Sequence, residues 1–372
     1  MMKQTIKKFL GLLFFFCIIL WGQRGIAEDL NNLTEISAVT AVTLDATTGK
    51  VLFAKNPNLK IPPASTVKLI TAMVVLDKLP LNKKVVISKT AAETPSVAPL
   101  LKEGEVYTVN NLLYLLLMKS SNQAAVALAE EVAGSEEKFA LYMNQKAKEL
   151  GLNNSYFISA SGLPSPGQYT TAYDLALILY QALKYPLIKE IIGTHTKIIS
   201  SEGGRVLVVK NTNHLLEDPE LKDYILGGKT GFTRASKHCL VTASKVHNRL
   251  IITSVLGAPS RESLWRDSKE LIKFSQLVLE NKAEPLYLNT VVTSQVPISH
   301  VSKTKLFKAN SVVKASSKKS KTLVQKSSKK SKAIASTSKT SKKAKTLTAN
   351  KTKNNKNKAL ATKTSKNHKK RS

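Results

Sequence analysis

Residues 61–78 read Ile61-Pro62-Pro63-Ala64-Ser65-Thr66-Val67-Lys68-Leu69-Ile70-Thr71-Ala72-Met73-Val74-Val75-Leu76-Asp77-Lys78. The proline pair breaks the chain, and the run from Ser65 onward is mostly apolar, which predicts a helix buried on most of its sides. A buried helix rarely holds a lysine without a partner. On a helix, positions three apart share a face, so Lys68 can set its amine beside the Ser65 hydroxyl. A neutral lysine can take the proton of a serine nucleophile, and burial or a second nearby cation lowers its pKa enough to make it neutral. Alone, a Ser-x-x-Lys tetrad is common in unrelated chains, so the setting counts for more than the spacing.

Upstream of this helix, Val42-Thr43-Leu44 and Val51-Leu52-Phe53 flank the turn residues Asp45 to Gly49 and predict a β-hairpin. Downstream, helices are predicted over Leu112 to Met118, Ala124 to Val132, Lys138 to Leu150 with Gly151 as its stop, and Thr171 to Leu183 with Thr170 or Thr171 and Asp174 resembling a capping box. Strands follow over Ile225 to Thr233, Leu240 to Ser244 and Leu250 to Leu256, the last two as a hairpin. Glu262 to Glu280 reads as a closing amphipathic helix. Strands at both ends with helices between them give an α/β fold: an antiparallel sheet whose two ends pair, covered by helices.

Two more short motifs carry chemistry. Ser120-Ser121-Asn122 interrupts two apolar helical runs and offers a hydroxyl and an amide side by side, suited to relaying a proton and orienting a substrate backbone. The same three residues also read as an ordinary helix N-cap. Gly227-Gly228-Lys229-Thr230-Gly231-Phe232-Thr233 lies on a predicted strand. Its glycines let a substrate backbone come close. Lys229 supplies the charge that a terminal carboxylate needs, and Thr230 adds a hydroxyl donor. A nucleotide-binding Walker loop is excluded, because no glycine precedes Gly228 at the required spacing.

The three motifs are 55 and then 109 residues apart, counted from Ser65 to Ser120 to Lys229. This ordered set is a signature of penicillin-binding proteins and class A β-lactamases. With Met143-Asn144-Gln145-Lys146-Ala147-Lys148-Glu149-Leu150-Gly151 and Thr170-Thr171-Ala172-Tyr173-Asp174-Leu175, the chain resembles the low-molecular-weight penicillin-binding proteins, the D-alanyl-D-alanine carboxypeptidases, over roughly residues 36–284. The resemblance implies a three-layer transpeptidase and serine β-lactamase-like fold. It implies Ser65 as nucleophile, Lys68 as general base, Ser120 as proton shuttle, and Asn122, Lys229, Thr230 and Gly231 as substrate-binding residues. Backbone N–H groups of Ser65 and Phe232 would make the oxyanion hole. No cofactor or metal is implied.

The implied activity is removal of the terminal D-Ala from the D-Ala-D-Ala ends of peptidoglycan stem peptides through an acyl-enzyme, with β-lactams as covalent inhibitors. The alternatives are a DD-endopeptidase, a β-lactamase and, from another class, a non-catalytic binding protein. Many relatives carry a second β-rich domain and an anchoring helix, for which Glu284 to His300 is too short. Short relatives often cleave crosslinks. The middle residue of the second motif, often Gly in relatives, is Ser121.

The chain has 372 residues and a formal net charge of +32, but the positive excess belongs to one end. No Asp or Glu follows Glu284, and Lys303 to Arg371 carry 24 positive charges. Residues 301–372, rich in Lys, Ser and Thr, are expected to be a disordered tail, joined by a connector over 285–300 to a catalytic domain over 28–284. The tail reads first as an electrostatic hold on anionic membrane or wall polymer, ahead of a solvated spacer and of nucleic-acid binding. Lys3, Lys7 and Lys8, the apolar run Phe9 to Trp21 and Gly25-Ile26-Ala27 read as a signal peptide over 1–27, hence an exported protein of the periplasm or envelope, peripheral at the membrane. Cys239 lies in an apolar run and reads as a core residue. His195, His214 and His238 lack metal-ligand spacing.

Overall fold

A computed structural model of the chain describes residues 35–288. The signal peptide, most of the connector and the basic tail expected from the sequence lie outside these residues. Strands β1 (Thr40–Asp45) and β2 (Lys50–Lys55) form the first hairpin. Asp45 closes its turn by accepting the N–H of Thr47 at 3.0 Å and the hydroxyl of Thr48 at 2.7 Å. A 3₁₀ turn over Ala64–Val67 leads into helix α1 (Lys68–Lys78). Ser65 therefore stands on the 3₁₀ turn rather than on the helix predicted to begin there. Pro63 accepts the Thr66 hydroxyl at 2.6 Å, and Ala64 takes a positive φ of 49°, which holds the tight turn ahead of α1.

Strands β3 (Lys84–Val86) and β4 (Val106–Thr108) pair around α2 (Lys89–Glu93). Then come α3 (Val109–Leu117), α4 (Asn122–Ala133), α5 (Glu136–Glu149), α6 (Ala172–Ala182) and α7 (Pro186–Gly193). The hairpin β5 (Thr196–Ser200) and β6 (Val206–Lys210) precedes β7 (Ile225–Thr233), β8 (Lys237–Val246), β9 (Arg249–Ala258), α8 (Arg261–Leu279) and β10 (Leu286–Leu288).

The main sheet runs β10-β2-β1-β9-β8-β7, antiparallel except where β10 lies parallel to β2. The first and last long strands pair as expected: β1 registers with β9, Ala41 opposite Val255 and Thr43 opposite Thr253. Alternation along the strands feeds two cores. Cys239, Val241, Ile252 and Leu256 point into the core under α1 and α3–α7, whereas Leu240, Ile251 and Val255 join Leu264, Leu271 and Phe274 of α8 on the other face. The result is three layers, helices on both sides of one sheet.

At α6 the expected capping box forms by half. Thr171 Oγ1 accepts the N–H of Asp174 at 3.0 Å, but the Asp174 carboxylate turns outward to the N–H of Asn154 at 2.9 Å and the hydroxyl of Ser155 at 2.8 Å. It thereby ties the incoming loop to the helix.

Candidate active site

The 3₁₀ turn presents Ser65 at one wall of a cleft, with the first residue of α1, Lys68, directly behind it. Lys68 is fully buried and donates to Ser65 Oγ at 2.8 Å, to Asn122 Oδ1 at 2.7 Å and to the backbone oxygen of Ser161. Burial is the main force driving its pKa well below that of a free lysine, the Lys229 charge adds to this, and the Glu136 carboxylate opposes it.

The break between α3 and α4 divides its labour. Ser121 is the N-cap, accepting the Ala124 N–H at 3.2 Å. The capping reading of this motif thus holds for its middle residue, and the flanking side chains are left for the cleft. Ser120 takes a positive φ of 65°, and its hydroxyl accepts from Lys229 Nζ at 2.9 Å. Asn122 is fixed from both ends, its Nδ2 donating to the Pro95 carbonyl at 2.7 Å.

The opposite wall is β7. Lys229 is fully buried, and burial pushes its pKa down to about 7. Thr230 Oγ1 lies 2.6 Å from Thr212 Oγ1. Gly231 backs onto the Ser65 turn: a Cβ there would lie 3.1 Å from the Ser65 nitrogen. A side chain there would also meet the Ala64 Cβ at 3.1 Å and the Thr66 nitrogen at 3.2 Å, so glycine lets the strand and the turn pack closely. The Phe232 side chain is 56% exposed, against the His238 ring at 4.4 Å. Ser65, Ser120, Asn122, Thr230, Gly231 and Phe232 all line one cleft of about 510 Å³, with Lys68 and Lys229 buried beside it.

Three contributors escape a reading of motifs alone. The Ser161 carbonyl holds Lys68 from 93 residues away. Glu136 Oε1 accepts the N–H groups of Ala160 at 2.8 Å and Ser161 at 3.3 Å, which sets that carbonyl. Thr212 steadies Thr230. The small-residue run Ser159-Ala160-Ser161-Gly162 is the sequence signal that marks a tight loop of this kind. Cys239 is fully buried, and burial pushes its thiol up to about 11, as befits a core residue.

The sequence pattern of the D-alanyl-D-alanine carboxypeptidase family matches residues 27–260. The chain belongs to this family. It is a serine DD-peptidase, a hydrolase. It is 33% identical over 278 residues to the D-alanyl-D-alanine carboxypeptidase DacF of Bacillus subtilis, covering 73% of this chain and 70% of that protein. It is 36% identical over 241 residues to a D-alanyl-D-alanine endopeptidase of Escherichia coli, covering 64% of this chain and 76% of that protein. Among solved structures it is similar to the Streptomyces K15 DD-transpeptidase at 30% identity and a TM-score of 0.60, over 64% of this chain and 96% of that one. The carboxypeptidase family thus includes the fold described above, helices on both faces of a largely antiparallel sheet.

Proposed function

We propose that Ser65 is the acylated nucleophile of a D-Ala-D-Ala carboxypeptidase acting on peptidoglycan stem peptides. The observation that carries this reading is the buried Lys68 amine, 2.8 Å from Ser65 Oγ and held by burial toward its neutral form. Neutral Lys68 takes the Ser65 proton as the oxygen attacks the carbonyl of the penultimate D-Ala. The oxyanion faces the backbone N–H groups of Ser65 and Phe232. Ser120, bonded to Lys229, passes a proton to the departing amine, and Asn122 orients the acyl chain. Lys229 and Thr230 receive the terminal carboxylate, a charge-assisted contact. Water then cleaves the ester and frees Ser65.

Penicillin is the direct probe. The mature chain takes up one penicilloyl group per molecule, and Ser65→Ala abolishes both labelling and D-Ala release. Labelling that survives the substitution places the nucleophile elsewhere.

Residues 1–27 act as a signal peptide in this reading, 28–284 as the catalytic domain, 285–300 as a connector and 301–372 as a polycationic tail that holds the exported enzyme to anionic membrane or wall polymer. The full mature chain then sediments with anionic vesicles at low salt and is released at high salt, and a chain ending at His300 does neither. Salt-insensitive binding, or equal binding by the shorter chain, rules this out.

A further inference from the structure

The β5–β6 hairpin turns apolar side chains to both of its faces. Ile199, Leu207 and Val209 point inward and join the core under α1 and α3–α7. The outer face of such a hairpin is ordinarily polar. Here it carries Ile198, Val206 and Val208, which are 66%, 63% and 59% exposed. The three lie together. Ile198 is directly opposite Val208, and Val206 is the next residue along the same face of β6. Exposed aliphatic residues scattered singly need no explanation, whereas a contiguous group on one sheet face marks a contact surface. The hairpin cannot fold this face away, because both ends are tied down. Near the tip, the Glu202 N–H donates to the Val106 carbonyl at 2.8 Å and Asn111 Nδ2 donates to the Ser200 carbonyl at 2.9 Å. At the base, the Asn211 N–H donates to the His195 carbonyl at 2.8 Å.

Charge and area say what covers the face. From Thr196 to Lys210 the hairpin has Lys197, Arg205 and Lys210 against Glu202 alone. Glu202 is neutralised by Lys84 at 2.7 Å, and Arg205 by Glu105 at 2.7 Å. Lys197 rests over the Tyr114 ring at 4.5 Å. Lys210 is exposed on the same outer face, two residues beyond Val208, and its amine has no ionic partner among the described residues. The face thus combines aliphatic side chains with an unpaired cation and has no free carboxylate. A second copy docked on it about a two-fold axis would set this cationic face against itself. Three aliphatic side chains also fall far short of the ~800 Å² that each partner buries in a standard protein interface. Aliphatic groups beside a cation suit the boundary of a bilayer whose headgroups are anionic.

We infer that the outer face of the β5–β6 hairpin docks on an anionic lipid surface, with Ile198, Val206 and Val208 among the headgroups and Lys210 on a lipid phosphate. Three aliphatic side chains and one lysine are too few to hold a protein to a membrane by themselves. The docking therefore orients a domain that is already held nearby, and in the cell it rests on the tail reading given above. The tail supplies the retention, and the hairpin decides which side of the catalytic domain meets the membrane.

The test keeps the two readings apart by tethering the full mature chain through a C-terminal hexahistidine tag to vesicles doped with nickel-chelating lipid, which hold it whatever the tail does. A polarity-sensitive fluorophore is attached to Val208→Cys. Cys239 is fully buried with its thiol pushed up to about 11, so it does not compete for the label. On phosphatidylglycerol-rich vesicles the emission shifts to the blue. The shift is lost on phosphatidylcholine vesicles and in the variant that adds Ile198→Thr and Val206→Thr, substitutions that keep strand propensity. Urea unfolding of the labelled variants matches that of the parent. The same label on Leu141→Cys, on α5 and 69% exposed, does not shift. Position 208 failing to shift, both positions shifting alike, or a shift on both lipids alike overturns the inference. A blue shift without vesicles that grows with protein concentration also overturns it and assigns the face to a second copy. Sedimentation of the untagged chain judges the tail, and the label judges the hairpin.

Discussion

Gly162 presses its Cα against the carbonyl of Ala64, so closely that a Cβ on Gly162 would lie 1.9 Å from the Ala64 oxygen. The contact joins the loop that follows Ser161 to the turn that carries Ser65. Both lysine-facing elements, the Ser161 carbonyl and the Ser65 hydroxyl, are thus positioned by one backbone crossing. Gly162 also has a φ of +78°, which L side chains rarely adopt.

Gly162→Ala should therefore do two things at once. The positive φ costs about 1 kcal/mol. The clash costs more and moves the Ser65 turn, so urea unfolding should shift well beyond that amount and penicillin acylation should slow. Gly134, the C-cap of α4 with φ +80° and nothing within 4 Å of a Cβ, is the control. Gly134→Ala should lose only about 1 kcal/mol and acylate at the parent rate. Equal effects in the two variants would show that the Ala64 crossing has no part in holding Ser65.

What could be read from the sequence and what could not have physical causes visible in these residues. The sheet's closure was legible, because Val42 to Leu44 and Leu250 to Leu256 are nearly continuous apolar runs, and strands buried on both faces must pair centrally. The three motifs stood out because they occur together in a recognisable order and because a lysine on a buried helix is expensive unless partnered. The β5–β6 hairpin was missed: Ile198, Val206 and Val208 are apolar yet exposed, so the outer face lacks the polar alternation that marks a half-buried strand. The small-residue run around Ser161 marks a tight loop but does not single out its carbonyl, since every residue carries one and only the fold selects which faces Lys68. Glu136 falls just before the helix predicted from Lys138, whereas in the structure it stands in the first turn of α5.

Glu136 offers a test by pH. Its carboxylate opposes the depression of the Lys68 pKa. With Lys68 as the proposed base, the acid limb of the acylation profile should mark the loss of the Lys68 proton, below which the amine is charged and cannot accept the proton of Ser65. Glu136→Gln removes a negative charge that favours charged Lys68, so the Lys68 pKa falls further and the acid limb moves to lower pH. A Gln oxygen can still accept from Ala160 and Ser161, so the loop holds and the plateau rate stays near that of the parent. Penicillin acylation measured against pH reads this directly. A limb that stays in place, or moves to higher pH, would mean that Glu136 acts only through the loop.

The last prediction concerns a sequence match with no partner in the cleft. Glu149-Leu150-Gly151-Leu152-Asn153 fits the Glu-x-x-Leu-Asn pattern that supplies the deacylating carboxylate of class A β-lactamases. Such a carboxylate must stand beside the acyl-enzyme to activate water. Glu149 is instead the last residue of α5, and Gly151, two residues on, has the left-handed φ of +74° typical of a helix stop. Its side chain is half exposed, 3.5 Å from Lys146 Nζ and 3.0 Å from the Gln145 amide, and it is not among the residues that line the cleft. Glu149→Gln should leave the lifetime of the penicilloyl-enzyme unchanged, and that lifetime should be long against peptide turnover. The check is the decay of labelled protein after excess penicillin is removed, in parent and variant side by side. Fast penicillin turnover in the parent that is lost in Glu149→Gln would make the chain a β-lactamase and put the deacylating water beside α5.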